Sequence, residues 1–211
     1  MSAPASVVDA RVRNWTFVVP SVARVLFLPV EQEDHPGAVV PAGRTTAALD
    51  VALAAGPFPG VAAPSLAGWR TAAGGDTDRL LAALGAAVAP GGWLYAGFPN
   101  AWYPGNAGRN GSLTLSRVLD TIGRAGLHDA VCYLAFPHER LPAYLIEAED
   151  PAALRYFLAA LSFPYVEGGN RWKARAKQVA MAGARRAALL TPAGLRSRAV
   201  PGLAVVARRP S

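Results

Sequence analysis

Three carboxylates lie in a polar loop directly after the apolar run at 24–30, and they are Glu31, Glu33 and Asp34. A carboxylate in this position can hold a ribose hydroxyl or accept a proton from a substrate. The alternative interpretation is a solvated loop, because carboxylates in loops mostly face water. The sequence alone leaves both interpretations open.

A second group of chemically useful side chains comes just beyond the apolar run at 93–98, and it comprises Asn100, Trp102 and Tyr103. Open α/β sheets bind ligands outside the carboxyl ends of their strands. We therefore expect these three side chains to contact a substrate or ligand. The alternative is a loop whose aromatic side chains cap the core.

His138 is the fourth candidate for ligand contact. It precedes Glu139 in "FPHERLP", where the two side chains could act as acid and base. Because adjacent residues point apart on most backbones, a plain surface loop is the alternative. No Ser-His-Asp or Cys-His arrangement and no phosphate-binding loop is visible, so the sequence predicts no catalytic residue.

The cysteine and histidine counts limit the chemistry further. With one cysteine, Cys132, and three histidines, the chain has no internal disulfide framework and no thiolate cage for a metal. We therefore predict no metal site. Cys132 alternates with apolar neighbours in a predicted strand, which indicates a small buried side chain.

Periodicity predicts the elements that position these residues. The chain of 211 residues, with 52% hydrophobic residues, is large enough for a single domain with one core. The run at 47–56 fits either a buried strand or a short helix, and 57–69 is predicted to be a proline-rich loop. The predicted strands are 15–19, 24–30, 93–98, 128–136 and 202–210, and the predicted helices are 77–88, 112–126, 150–161 and 171–190. This alternation predicts an α/β domain.

The positive charge lies at one end of the chain. The formal net charge is +7, and residues 171–211 contain ten cations and no carboxylate. The basic helix at 171–190 predicts either an acidic partner or simply a solvated face. The segment contains one aromatic residue, Trp172, so nucleic acid is not expected. No apolar run reaches the length of a membrane helix, and we expect a cytoplasmic location.

The order of motifs from residue 76 to residue 210 resembles the C-terminal half of a class I S-adenosylmethionine (SAM)-dependent methyltransferase. "LLAALGAAVAPGGWLYAGFPN" is similar to that family's helix, proline-glycine-glycine turn and fifth strand, and "LTLSRVLDTIGRAGL" resembles a later helix. "YLAFPHERLPAYLIEAED" is similar to a segment of bacterial methyltransferases that act on glycans and natural products. "VPGLAVVARRP" resembles the final antiparallel strand. The resemblance implies a Rossmann-like sheet flanked by helices, with the last strand antiparallel.

The first part of the chain departs from this family. The family places a glycine-rich turn after its first strand, where the backbone approaches the cofactor, but here Pro29 and Val30 follow the strand. If 49–56 is the counterpart of the fourth strand, the 18 residues between Val30 and Leu49 are too few for two further strands with crossovers. We therefore expect a truncated cofactor half. The cofactor positions that the resemblance implies are Glu31 and Phe58.

These observations predict a degenerate methyltransferase-like protein, which serves as a non-catalytic accessory or binding subunit in a biosynthetic pathway. No cofactor is then expected. The alternative is an active methyltransferase that uses SAM on a small molecule, sugar or peptide. Deleted strands would leave the first strand as a sheet edge, which either segment 15–19 or another chain must cover. We therefore expect a protein partner or a homo-oligomer at that edge.

Overall fold

The computed structural model describes residues 10–30, 37–157 and 197–211, together with the single residues 179, 182, 183, 186, 190, 191, 192 and 195. Glu31 lies outside the described residues, as does most of the predicted basic helix at 171–190. The end of the predicted helix at 150–161, beyond residue 157, also lies outside them.

A seven-stranded sheet organises the described part of the chain, in the spatial order β2-β1-β3-β4-β7-β5-β6. Its strands are β1 (Val25–Phe27), β2 (Ala38–Val39), β3 (Phe58–Ala63), β4 (Val88–Pro99), β5 (His128–Phe136), β6 (Tyr144–Glu147) and β7 (Gly202–Arg208). The first four strands in this order are parallel, and β7 is antiparallel to both β4 and β5. The predicted α/β class and the antiparallel last strand are confirmed.

Five α-helices are found among the described residues: α1 (Thr46–Ala54), α2 (Leu66–Trp69), α3 (Thr77–Ala86), α4 (Leu115–Arg124) and α5 (Pro151–Tyr156). Helix α3 begins where the sequence predicts, because Asp76 Oδ1 accepts hydrogen bonds from the backbone N–H groups of Asp78 and Arg79 at 2.9 and 3.2 Å. Helix α4 is capped by Thr114 rather than by Ser112. None of the described helices is long and apolar enough to cross a bilayer.

The two faces of the sheet are covered differently. Side chains alternate between the faces along each strand, so that Leu26 and Phe27 belong to separate apolar clusters. All five helices pack on the face of Leu26. The other face holds an aromatic cluster, which consists of Trp15, Phe27, Trp93 and Tyr95.

The predicted strand at 15–19 is wrong. Residues Ala10–Phe17 form a 3-10 helix instead. Trp15 from this helix is 2% exposed, and its ring centroid lies 5.4 Å from that of Phe27. The helical path places the Trp15 ring in the aromatic cluster on this face of the sheet, where its apolar surface is removed from water.

The elements between 46 and 69 also differ from the prediction. Residues 47–56 do not supply the fourth strand, because Thr46–Ala54 form helix α1, capped by Thr45 Oγ1. The strand β3 lies instead within the predicted proline-rich loop. Pro59 is tolerated there because the register with β4 shifts between Phe58 and Gly60, where a backbone N–H is not needed.

The first strand is not a sheet edge. Strand β1 pairs with β2 on one side and β3 on the other. Between Val30 and Leu49, the described residues hold one further strand, Ala38–Val39, and the predicted uncovered edge at β1 is wrong. At the opposite edge, Asn14 Nδ2 donates hydrogen bonds to the carbonyl oxygens of Pro142 and Ala143 at 2.6 and 3.4 Å. The 3-10 helix thus satisfies backbone groups next to β6.

Candidate functional site

The chain reverses its direction across the sheet between β1 and β3. From β1 it moves outward to β2, and it then returns to β3 on the other side of β1. In open α/β sheets this switch point forms a crevice at the carboxyl ends of the strands, where ligands bind. The crevice here lies between residues 28–30 after β1 and residues 63–65 at the end of β3.

The side chain of Trp69 reaches the β1 side of this crevice. Trp69 ends helix α2, which begins directly after β3, and it is 2% exposed. Its Nε1–H donates a hydrogen bond of 3.0 Å to the carbonyl oxygen of Pro29. A buried indole N–H needs such a partner, so this bond holds the ring against the end of β1.

Arg44 closes the same crevice from the solvent side. Its Nη2 donates to the carbonyl oxygen of Pro29 at 3.1 Å and also to that of Val30. The guanidinium carbon lies 5.7 Å from the ring centroid of Trp69, within the range of a cation–π contact. The two carbonyl groups that follow β1 are therefore bonded within the chain.

These contacts decide whether a nucleoside cofactor fits. A cofactor of the SAM type needs close approach to the backbone after β1, which glycine allows. Here Val30 is buried at 6% exposure, and the Trp69 indole is bonded to the carbonyl group of Pro29 just after β1. The described residues that follow β1 therefore lack the glycine turn that such a cofactor uses.

The two predicted cofactor positions lie elsewhere. Glu31 is outside the described residues. Phe58 is fully buried at the amino end of β3, so it lies at the other end of the strands from the crevice. The Arg24 guanidinium carbon lies 4.7 Å from its ring centroid. The structure therefore places Phe58 in the core and not beside the carboxyl ends of the strands.

Three loops meet at the carboxyl ends of β4 and β5 and at the start of β7. They comprise residues 100–113, 137–142 and 197–201, and we call them the carboxyl rim. Asn100 is fully buried between two of them. Its Nδ2 donates to the carbonyl oxygens of Ser197 and Val200 at 2.7 and 2.8 Å, and its Oδ1 accepts from the N–H of Trp102 at 3.1 Å. Asn100 thus positions the loops.

A polar network continues from Asn100 across the rim. Asn106 Nδ2 donates to the carbonyl oxygens of Asn100 and Pro201 at 2.9 and 2.7 Å. Asn106 Oδ1 accepts from Arg109 Nη1 at 3.3 Å, and Arg109 Nη2 donates to Glu139 Oε1 at 3.1 Å. Glu139 is fully buried, whereas the side chain of Arg109 is 40% exposed. The network fixes an exposed guanidinium on a buried carboxylate.

Sequence reasoning missed Asn106 and Arg109 and placed Glu139 in a surface loop. The stretch 104–111 contains six turn-forming residues, one alanine and one arginine, which carry no signal for a buried network. Gly202 is one local signal for this network. A Cβ at Gly202 would overlap the backbone of Glu139 where that backbone crosses β7. A glycine at a strand start indicates such a close approach only once the pairing is known.

The other predicted ligand residues lie at or near the surface of the same rim. Trp102 is 56% exposed, and the Arg198 guanidinium carbon lies 4.9 Å from its ring centroid. Tyr103 is half-buried, with its ring beside Gly105. His138 is half-buried, and its Nδ1 accepts a hydrogen bond from the N–H of Leu141 at 3.3 Å. The structure therefore brings all four predicted ligand residues together at the carboxyl ends of β4 and β5.

Burial raises the pKa values of three groups in the sheet. The pKa of Tyr95 is raised mainly by burial and further by the nearby Tyr133 and Glu139. Burial and then Glu147 raise the pKa of Tyr133, and burial followed by Glu149 raises the pKa of Cys132 to about 12. These phenols and this thiol are neutral at physiological pH, so none is a ready nucleophile or base.

Comparison with known proteins finds a similarity in fold. No protein-family model matches the sequence, and no characterised protein matches it. A crystal structure of a SAM-dependent methyltransferase from Thermotoga maritima, described as a possible histamine N-methyltransferase, has a similar fold. The alignment covers 95% of this chain and 87% of that one, at 11% identity and a TM-score of 0.46. Similarity at this level concerns the path of the backbone and not its chemistry.

Proposed function

We propose that this chain is a non-catalytic binding protein on a methyltransferase-like α/β fold, which acts as an accessory subunit in a biosynthetic pathway. The observation that carries the proposal is the hydrogen bond between Trp69 and Pro29 in the crevice. Because an internal side chain holds the place that a nucleoside would take, the chain keeps the framework without its cofactor.

The carboxyl rim is the binding surface in this proposal. Its network gives three loops a defined shape through bonds between backbone and buried side chains. Such preorganisation lowers the entropy that binding costs. The rim also carries Trp102, an exposed aromatic side chain of the type that is enriched where proteins bind their partners.

The proposal also includes a protein partner or a second copy of the chain. Strand β2 has two residues and lies at the end of the sheet, so its outer backbone groups are a place where another strand could pair. Light scattering coupled to size exclusion tests this point. We expect a mass above the 22.0 kDa of one chain, and a monomer at all concentrations would contradict it.

Calorimetric titration with SAM, and with its demethylated product, tests the main proposal. We expect no heat at millimolar ligand and no change in melting temperature, because the crevice is closed. Trp102→Ala, which changes the rim and leaves the crevice intact, serves as a control and should give the same result.

Micromolar binding, about −8 kcal/mol, would overturn the proposal. In that case the alternative applies, namely an active SAM-dependent methyltransferase that acts on a small molecule, sugar or peptide. A Trp69→Ala variant that binds SAM when the natural chain does not would support the proposal, since it would identify the indole as the group that fills the cofactor's place.

A further inference from the structure

We infer that the carboxyl rim binds a small anionic ligand, with a carboxylate or phosphate held by arginine and a flat ring stacked at Trp102. This inference rests on the proposed binding function and names the chemical class of the occupant. It is carried by the arrangement of Trp102, Arg198 and Arg109 on loops that the buried asparagines lock together.

The charge of the rim has one sign at its surface. Its three loops contain the arginines Arg109, Arg140 and Arg198 and one carboxylate, Glu139. Glu139 is fully buried and bonded to Arg109, so it presents no charge to solvent, whereas Arg140 and Arg198 are exposed. An anion approaching the rim therefore meets uncompensated positive charge.

The guanidinium groups are oriented before any ligand arrives. Arg109 is held at Nη1 by Asn106 and at Nη2 by Glu139, yet its side chain remains 40% exposed. Arg198 lies over the ring of Trp102, with its guanidinium carbon 4.9 Å from the ring centroid, and the residue is exposed. A guanidinium with unused donors is the preferred partner of carboxylate and phosphate oxygens.

Trp102 supplies the second part of the site. It is 56% exposed although large apolar side chains are costly to leave in water. Its backbone N–H is bonded to the buried Asn100, so the indole projects from a fixed point of the loop. An aromatic face beside a guanidinium fits a planar ring that carries an acidic group.

The test uses the full chain labelled with 15N at its five tryptophans, and NMR follows the indole N–H resonances. The Trp102 resonance is assigned from a Trp102→Phe spectrum. The probes are benzoate and phenyl phosphate, which share a ring and differ in the anion, with neutral benzamide as the matched control.

We expect saturable movement of the Trp102 resonance with at least one anionic probe and none with benzamide. The comparison of benzoate with phenyl phosphate then distinguishes a carboxylate ligand from a phosphate ligand. Arg198→Gln should weaken binding about tenfold, because one charge-assisted contact is lost. Arg208→Gln is the matched control, because Arg208 is the exposed last residue of β7 and lies at the other end of this strand from the rim. This variant should bind the probe as tightly as the natural chain does.

Equal shifts with benzamide and benzoate, or equal losses in the two arginine variants, would overturn the inference. Absence of saturable movement with both anions would also overturn it. The other indole resonances report whether the variants keep the fold. SAM binding would refute the proposed function while leaving the rim result intact, so the two failures are distinguishable.

Discussion

The indole N–H of Trp69 donates a hydrogen bond to the carbonyl oxygen of Pro29, 40 residues earlier in the chain, at 3.0 Å. This contact joins the carboxyl end of β1 to the helix that follows β3. It holds the buried indole against the end of β1, and it therefore contributes to the stability of the fold as well as to the proposed loss of cofactor binding.

Substitution of Trp69 should destabilise the protein strongly. We expect Trp69→Ala to lower the free energy of unfolding by about 3 to 5 kcal/mol, because a buried aromatic ring is removed and a cavity remains. Trp69→Phe keeps most of the ring and loses the hydrogen bond, at about 1 to 2 kcal/mol. Urea unfolding measures both. Trp102→Ala, at a site that is 56% exposed, should change stability by about 0.5 kcal/mol or less.

Gly97 and Gly123 form a matched pair for a second prediction. A Cβ at Gly97 in β4 would overlap the carbonyl oxygen of Pro64, whereas a Cβ at Gly123 in α4 would meet nothing within 4 Å. Gly97→Ala should therefore cost several kcal/mol, on the order of an overpacked core. Gly123→Ala should stabilise by up to about 1 kcal/mol, because alanine is the better helix former. Thermal unfolding measures both variants. Similar melting temperatures for Gly97→Ala and Gly123→Ala would contradict the close approach of β4 to Pro64.

Because Arg109 and Glu139 form an ion pair, we expect substitutions of the two residues to have non-additive effects on the free energy of unfolding. Arg109→Met leaves the fully buried carboxylate without its cation, so it should cost more than Glu139→Gln, which leaves a neutral group. The double variant should be more stable than Arg109→Met alone. A double-mutant cycle by urea unfolding should give a coupling of about 1 kcal/mol or more, reduced by the 40% exposure of Arg109. Additive effects would show that the pair does not fix the rim.

The raised pKa of Cys132 leads us to expect a loss of stability at high pH. Burial raises the pKa of its thiol from 9.0 to about 12, so above about pH 9 the unfolded chain releases a proton that the folded chain keeps. Deprotonation then favours the unfolded chain, and stability falls as pH rises from about 9 towards 12. Urea unfolding of the natural chain and of Cys132→Ala at several pH values should show a smaller decline for the variant. Tyr95 and Tyr133 shift in the same direction and remain in both proteins.

The same shift can be checked chemically. Alkylation of Cys132 by iodoacetamide at about pH 8 should be slow in the folded chain and rapid in urea, because the thiolate is the reactive form. Rapid alkylation under native conditions would contradict the raised pKa of this half-buried thiol.

Local sequence signals were sufficient for the second half of the chain. Helix α3 and the strands β5 and β7 lie where periodicity and a capping aspartate predict them. Strand β4 begins at Val88, five residues before the predicted strand, and includes the proline-glycine-glycine sequence that was predicted to be a turn. These signals succeed because each element is determined by neighbours in the chain, through caps, turns and alternation of buried side chains. The presence of Asn100, Trp102, Tyr103 and His138 at the carboxyl edge follows from the same strand ends.

The tertiary structure alone decided the first half and the chemistry of the site. Segment 15–19 has the composition of a strand, yet Trp15 lies in a 3-10 helix and is buried against the sheet. The periodicity of the run at 47–56 fits a helix as well as a strand. Only the pairing of β3 with β1 and β4 shows that the strand of this region lies after that run. The Trp69–Pro29 and Arg109–Glu139 contacts join residues 40 and 30 positions apart. Contacts at such separations depend on how strands are ordered in space, and no local periodicity encodes that order.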